Sequence, residues 1–93
     1  MFYVYLIQSV NDPNQRYVGF TENLRQRMAE HNSGGSVYTK KYAPWVLITY
    51  VAFADKYAAL AFETYLKGGS GHAFANKHLW KSSWIRVYDA SCG

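Results

Sequence analysis

Several side chains along the chain are suited to acid–base or phosphate chemistry: the tyrosines of Tyr3-Val4-Tyr5 and Tyr17-Val18-Gly19 (which equally are residues that simply favour strands), the pair Arg27 and His31, and the carboxylate Glu63. Arg27 and His31 stand four apart, so a helix would present both on one stripe. A guanidinium offers a fixed fork of donors to two phosphate oxygens and does not titrate away. An imidazole one turn further on can hydrogen-bond the same group or pass a proton. The plainer alternative pairs Arg27 with Glu30 or Asn23 on a solvated face. Glu63 is the one carboxylate in the run from Tyr57 to Leu66, and a carboxylate on an apolar flank is costly unless paired or bound to metal. A single hard oxygen ligand suits Mg²⁺ beside a phosphate; an i,i+4 pair with Lys67 is the competing reading. Gly19, closing Tyr17-Val18-Gly19, marks either a close approach by a phosphate or the following helix, or simply a turn. Tyr38-Thr39-Lys40-Lys41-Tyr42, followed by Trp45, interleaves phosphate-neutralising cations with rings that stack on bases. It reads equally as a solvated loop whose Tyr42 and Trp45 tuck into the core. His72 and His78, six apart, suit no helical metal pair, and Gly68-Gly69-Ser70-Gly71 lacks the Lys-Ser/Thr of a phosphate loop.

The elements that must position these residues follow from pattern. Tyr3–Ile7 and Arg16–Phe20 read as strands joined through the turn Asn11-Asp12-Pro13-Asn14. They should pair antiparallel, with Tyr5 and Tyr17 on adjacent strands. Thr21 is the expected N-cap of a helix from Glu22 to about His31, stopped by Asn32-Ser33-Gly34-Gly35, with Leu24 and Met28 as its packing stripe. Residues 34–44 read as irregular. Trp45–Phe53 is a third, largely buried strand. Asp55 caps a helix over Lys56–Lys67 that Gly68-Gly69 closes, and a short helix follows from about His72 to Trp80. Trp84–Tyr88 is a last strand or an extended tail. The order β-β-α-β-α-α predicts an α+β fold, a small, mostly antiparallel three-stranded sheet flanked by helices.

Composition sets the outer bounds. The 93 residues predict one domain over 1–93, with a core at about 2–80 and a tail at 81–93. A hydrophobic fraction of 49% excludes disorder. The single cysteine, Cys92, excludes an internal disulfide and points to a reduced, cytoplasmic setting. No apolar run approaches the roughly 20 residues of a membrane span. The net charge of +4 suits a polyanionic partner without requiring one.

In their order and spacing these residues resemble the GIY-YIG nuclease family, in its short bacterial single-domain branch. Tyr3-Val4-Tyr5 stands at the first triplet and Tyr17-Val18-Gly19 at the second. Thr21-Glu22-Asn23-Leu24, Arg27, Glu30-His31-Asn32-Ser33-Gly34, Tyr38-Thr39, Pro44-Trp45, Glu63 with Lys67, and Gly69 to Ala75 extend the likeness over residues 2 to about 80. The resemblance implies a divalent-metal-dependent DNA endonuclease, structure-specific and serving repair or recombination. Its catalytic set would be Tyr5, Tyr17, Arg27, His31 and Glu63. Glu63 would hold one Mg²⁺ (or Mn²⁺) that stabilises the leaving oxygen, and Arg27 would bind the non-bridging oxygens. Tyr5 or Tyr17, as tyrosinate, would deprotonate water, which requires help because an ordinary phenol titrates near pH 10. His31 would orient that water or shuttle its proton. Gly19, Arg16, Tyr38, Lys40, Lys41 and Asn76 are the implied DNA contacts. Two departures stand out: Tyr3 replaces the first glycine, and Phe20 follows Gly19 where some repair nucleases carry lysine, leaving Arg16 as the candidate for that charge. A domain this small has little surface for reading sequence, so DNA shape or a protein partner is the candidate source of specificity. The alternative is an inactive nucleic-acid-binding or protein-interaction module on the same scaffold.

Overall fold

The computed structural model describes residues 1–80, the side chain of Tyr38 excepted; the expected strand or tail at Trp84–Tyr88 lies outside them. The elements are β1 (Phe2–Ser9), β2 (Arg16–Thr21), α1 (Leu24–Ser33), α2 (Val37–Lys40), β3 (Trp45–Phe53), α3 (Lys56–Lys67) and α4 (Gly69–His78). The sheet is antiparallel, ordered β2-β1-β3, as the α+β reading predicts. Its central strand is buried throughout Val4 to Ile7.

Alternation along β1 divides the molecule. Val4 and Leu6 join Ile48, Ala59, Leu66, Ala75 and Trp80, while Tyr5 and Ile7 join Trp45, with Leu24 and Met28 packed against them. Because successive strand residues point to opposite faces, α3 and α4 cover one face and α1 the other. Trp45 is core, as one of the two sequence readings has it.

Three boundaries differ from expectation. α1 starts two residues late because Asn23, not Thr21, caps it: Asn23 Oδ1 accepts from the Gln26 amide at 3.1 Å. The Thr21 hydroxyl instead accepts from the Asn23 amide, also at 3.1 Å, and Thr21 itself ends β2. Gly34, at φ 85°, closes α1 in the left-handed region that favours glycine. Residues 34–44, expected to be irregular, contain α2. α4 begins at Gly69 rather than His72, so Gly68 both ends α3 and caps α4. Asp55 caps α3 as expected, its carboxylate accepting from the Ala58 amide at 2.8 Å.

Candidate active site

The register of β1 on β2 places Gly19 opposite Tyr5. A Cβ at Gly19 would overlap the ring and hydroxyl of Tyr5. The close approach that glycine permits is therefore made by the Tyr5 phenol, not by a phosphate or the following helix, and Gly19 is buried.

α1 brings two side chains to that phenol. Arg27 Nε donates to Tyr5 Oη at 3.3 Å, and Tyr5 Oη lies 2.8 Å from His31 Nε2. His31 Nδ1 lies 2.6 Å from Thr39 Oγ1. Tyr5, His31 and Thr39 are all fully buried. Proton accounting orients the chain. Tyr5 already accepts from Arg27 and needs an acceptor for its own hydrogen, which His31 Nε2 supplies. The imidazole is then neutral with its hydrogen on Nδ1, donating to Thr39.

Other groups brace this line. Arg27 Nη1 pairs with Glu30 at 2.8 Å, so the plain helix-face pairing and the contact with Tyr5 coexist. Asn32 bridges to the backbone N–H and C=O of Trp45, and Trp45 Nε1 donates to the Thr39 carbonyl at 2.8 Å. Tyr17 packs against both rings, its centroid 6.3 Å from that of Tyr5 and 5.4 Å from that of His31.

The electrostatics follow from burial. The Tyr5 phenol is pushed up to about 12, chiefly by burial, against the opposing hydrogen bond from Arg27. Burial, then the charge of Arg27, holds His31 below its ordinary value. The hydrogen bond from Arg27 keeps the Glu30 carboxyl low. Arg27 is itself raised, first by Glu30 and then by Tyr5.

Glu63 joins differently. It pairs with Lys67 at 3.1 Å and its side chain is 19% exposed. It makes no hydrogen bond to the Tyr5 cluster, yet its charge is among those that raise the Tyr5 phenol. The structure thus gathers Tyr5, Tyr17, Arg27 and His31 by contact and leaves Glu63 outside that contact set, paired with Lys67.

The remaining residues named from sequence scatter. Arg16 Nη1 lies 3.4 Å from Asn76 Oδ1, bringing two of them together at the outer end of β2. Lys40 and Lys41 are exposed at the far end of α2, Lys41 with its ammonium 5.6 Å from the Tyr42 ring. Thr39 and Glu30 are partners to which sequence reasoning assigned no role in the site. Glu30 was visible only as a helix-face neighbour of Arg27, and nothing in the local sequence marks Thr39 as buried.

Residues 1–78 match the family model of the GIY-YIG catalytic domain. Structure-specific endonuclease subunit SLX1 of Candida dubliniensis is 35% identical over 83 residues, 82% of this chain but 28% of that protein. Its counterpart in Debaryomyces hansenii is 38% identical over 82% of this chain and 23% of its own length. The chain therefore spans about a quarter of these fungal relatives. A UPF0213 protein of Streptococcus pyogenes serotype M3 is 36% identical over 66 residues, 70% of each chain. The solution NMR structure of a UPF0213 protein from Bacillus halodurans aligns with 97% of this chain and 85% of that one, at 26% identity and a TM-score of 0.43.

Proposed function

The chain belongs to the GIY-YIG catalytic-domain family, and from that premise we propose that it is a divalent-metal-dependent endonuclease that hydrolyses phosphodiester bonds in DNA. The observation that carries the reading is the Tyr5 phenol held between Arg27 and His31, with Tyr17 against both rings. A module that merely binds a polyanion gains nothing from a buried tyrosine–histidine pair.

Within this reading the two tyrosines divide the work. Tyr5 is fully buried and its phenol is raised, so it keeps its proton and positions Arg27 and His31. Tyr17 is only half-buried and is the phenol that meets the attacking water. Arg27 spends Nε on Tyr5 and Nη1 on Glu30. The rest of its fork, in a side chain 33% exposed, serves the non-bridging oxygens.

On this reading Glu63 is the carboxylate offered to a hard cation. Glu63 already holds the ammonium of Lys67, and among the described residues no three His, Cys, Asp or Glu side chains cluster. Glu63 would be the protein's single ligand to Mg²⁺ or Mn²⁺, an arrangement Mg²⁺ accepts when water and phosphate fill its other positions. When bound, the ion supplies Lewis-acid neutralisation of charge on the phosphoryl and leaving oxygens. A structure-specific role in repair or recombination, with a protein partner, is the setting suggested by relatives described as subunits of a structure-specific endonuclease.

The test incubates the protein with nicked, flapped and branched DNA, with and without Mg²⁺ or Mn²⁺. Cleavage is expected only with metal. Arg27→Ala and Glu63→Ala should each lower the rate about 100-fold or more, the scale of losing one transition-state contact. Binding without cutting under every condition would establish the inactive module instead.

A further inference from the structure

We propose that the cleft between the outer end of β2 and the α3–α4 corner is a subsite for one unpaired nucleotide beside the scissile bond. The preferred substrate would then carry a single-stranded or branched segment there rather than continuous duplex. This rests on the nuclease reading above.

The cleft holds about 460 Å³ and shares Tyr17 with the Tyr5–His31 cluster. Lys67, the ion-pair partner of Glu63, lines it too, so it adjoins the candidate site directly. Its charged groups are Arg16 and Lys67, with His72 beside them; none of the described lining residues is acidic. The smaller cleft beside Arg27 includes Glu22 and Glu30, which repel a second phosphate.

Arg16 is already set in place. Its Nε donates to Gln8 Oε1 at 3.3 Å, its Nη1 to Asn76 Oδ1 at 3.4 Å, and its guanidinium lies 4.7 Å from the Trp80 ring centre. A cation held this way loses little further freedom on meeting a phosphate. Half-buried Tyr17 offers its ring to a base, beside Val18 and over the buried Leu66 and Trp80, and aromatic rings are the usual platform for single strands. A volume in the range of small-ligand sites (about 300–1,000 Å³) admits one nucleotide. A base within a duplex is stacked and paired, and enters such a cleft only if flipped out at a cost.

The experiment uses the full chain carrying Glu63→Gln, without metal, so that binding is read apart from cutting. Thymidine 5′-monophosphate is titrated against the methyl resonances of Val18 and Leu66 and the indole N–H of Trp80. Flapped and fully paired DNA of equal length are then compared by fluorescence anisotropy. We expect shifts at those three residues, and flapped DNA bound at least about tenfold more tightly, since a paired base must first be flipped. His72→Glu, on the exposed first turn of α4, should abolish the mononucleotide shifts. Lys56→Glu, a larger charge change at the exposed start of α3, should leave flap affinity within about twofold, because a remote charge acts only through the screened general field. Shifts confined to Arg27 and Glu30, or equal affinity for flap and duplex, overturn the proposal. Metal-dependent cleavage of duplex as fast as of flapped DNA overturns the subsite and spares the nuclease reading. Cleft shifts without cleavage of any DNA by the unmutated chain overturn the nuclease reading alone.

Discussion

Tyr5, Thr39 and Gly19 are the residues on which the site's geometry depends. Thr39→Val keeps the shape of the side chain but removes the acceptor from His31 Nδ1, leaving a buried N–H unpaired. That should cost about 1–3 kcal/mol, read as a lower urea midpoint. Gly19→Ala sets a methyl against the Tyr5 ring. Overpacking of this kind costs about 1–3 kcal/mol, and here it should also displace the phenol from Arg27, so nuclease activity should fall further than stability does. The types of these residues were legible in the sequence, but their partners were not. Glycine in a strand announces that something approaches closely, not what. A histidine four residues after an arginine reads as one exposed stripe, whereas the contacts that bury His31 come from Tyr5, 26 residues earlier, and Thr39, eight later.

Caps and corners decide the elements. Asn23→Ala removes the acceptor for the Gln26 amide and should cost about 1 kcal/mol. Thr21→Ala, at the cap position expected from sequence, should cost less, because Thr21 bonds ahead of the helix rather than to it. The α3–α4 corner offers a sharper contrast. At Gly71 a Cβ would run into the Tyr65 and Leu66 backbone, whereas at Gly69 nothing lies within 4 Å. Gly71→Ala should therefore destabilise severely and Gly69→Ala hardly at all, with thermal melting of the two variants as the check. The three strands and α3 are readable because β-branched runs, turn residues and an Asp cap all act locally. But β3 is not the largely buried strand its apolar run suggests: only Trp45 and Ile48 are buried in it, since it is an edge strand with Val46 and Tyr50 exposed. The start of α1 lies beyond the expected position because Asn23, two residues after Thr21, takes the cap. The expected start of α4 falls late because consecutive glycines signal a stop, while here the second already belongs to the next helix.

For the molecule as a whole, the buried site writes its own pH profile. His31 is held below its ordinary value in the folded state. As pH falls through about 6.5 the unfolded chain takes up a proton that the folded one refuses, so stability declines on the acid side. Tyr5 acts in the opposite sense: between pH 10.0 and about 12 the unfolded chain releases a proton that the folded one keeps, so stability declines there as well. Urea midpoints should form a plateau between these windows, and His31→Gln should flatten the acid shoulder above pH 5 (roughly where ordinary carboxylates have finished titrating). Glu30, kept low by Arg27, adds its own loss only at lower pH. The parity of β1 has one more result. Odd positions Tyr5 and Ile7 serve the site's side of the sheet while even positions Val4 and Leu6 serve the α3–α4 side, so a one-residue slip would exchange the two sets. A misregistered molecule would forfeit chemistry and solubility in a single event. Aggregated and working fractions of a preparation should accordingly separate cleanly, with no soluble, half-competent species between them.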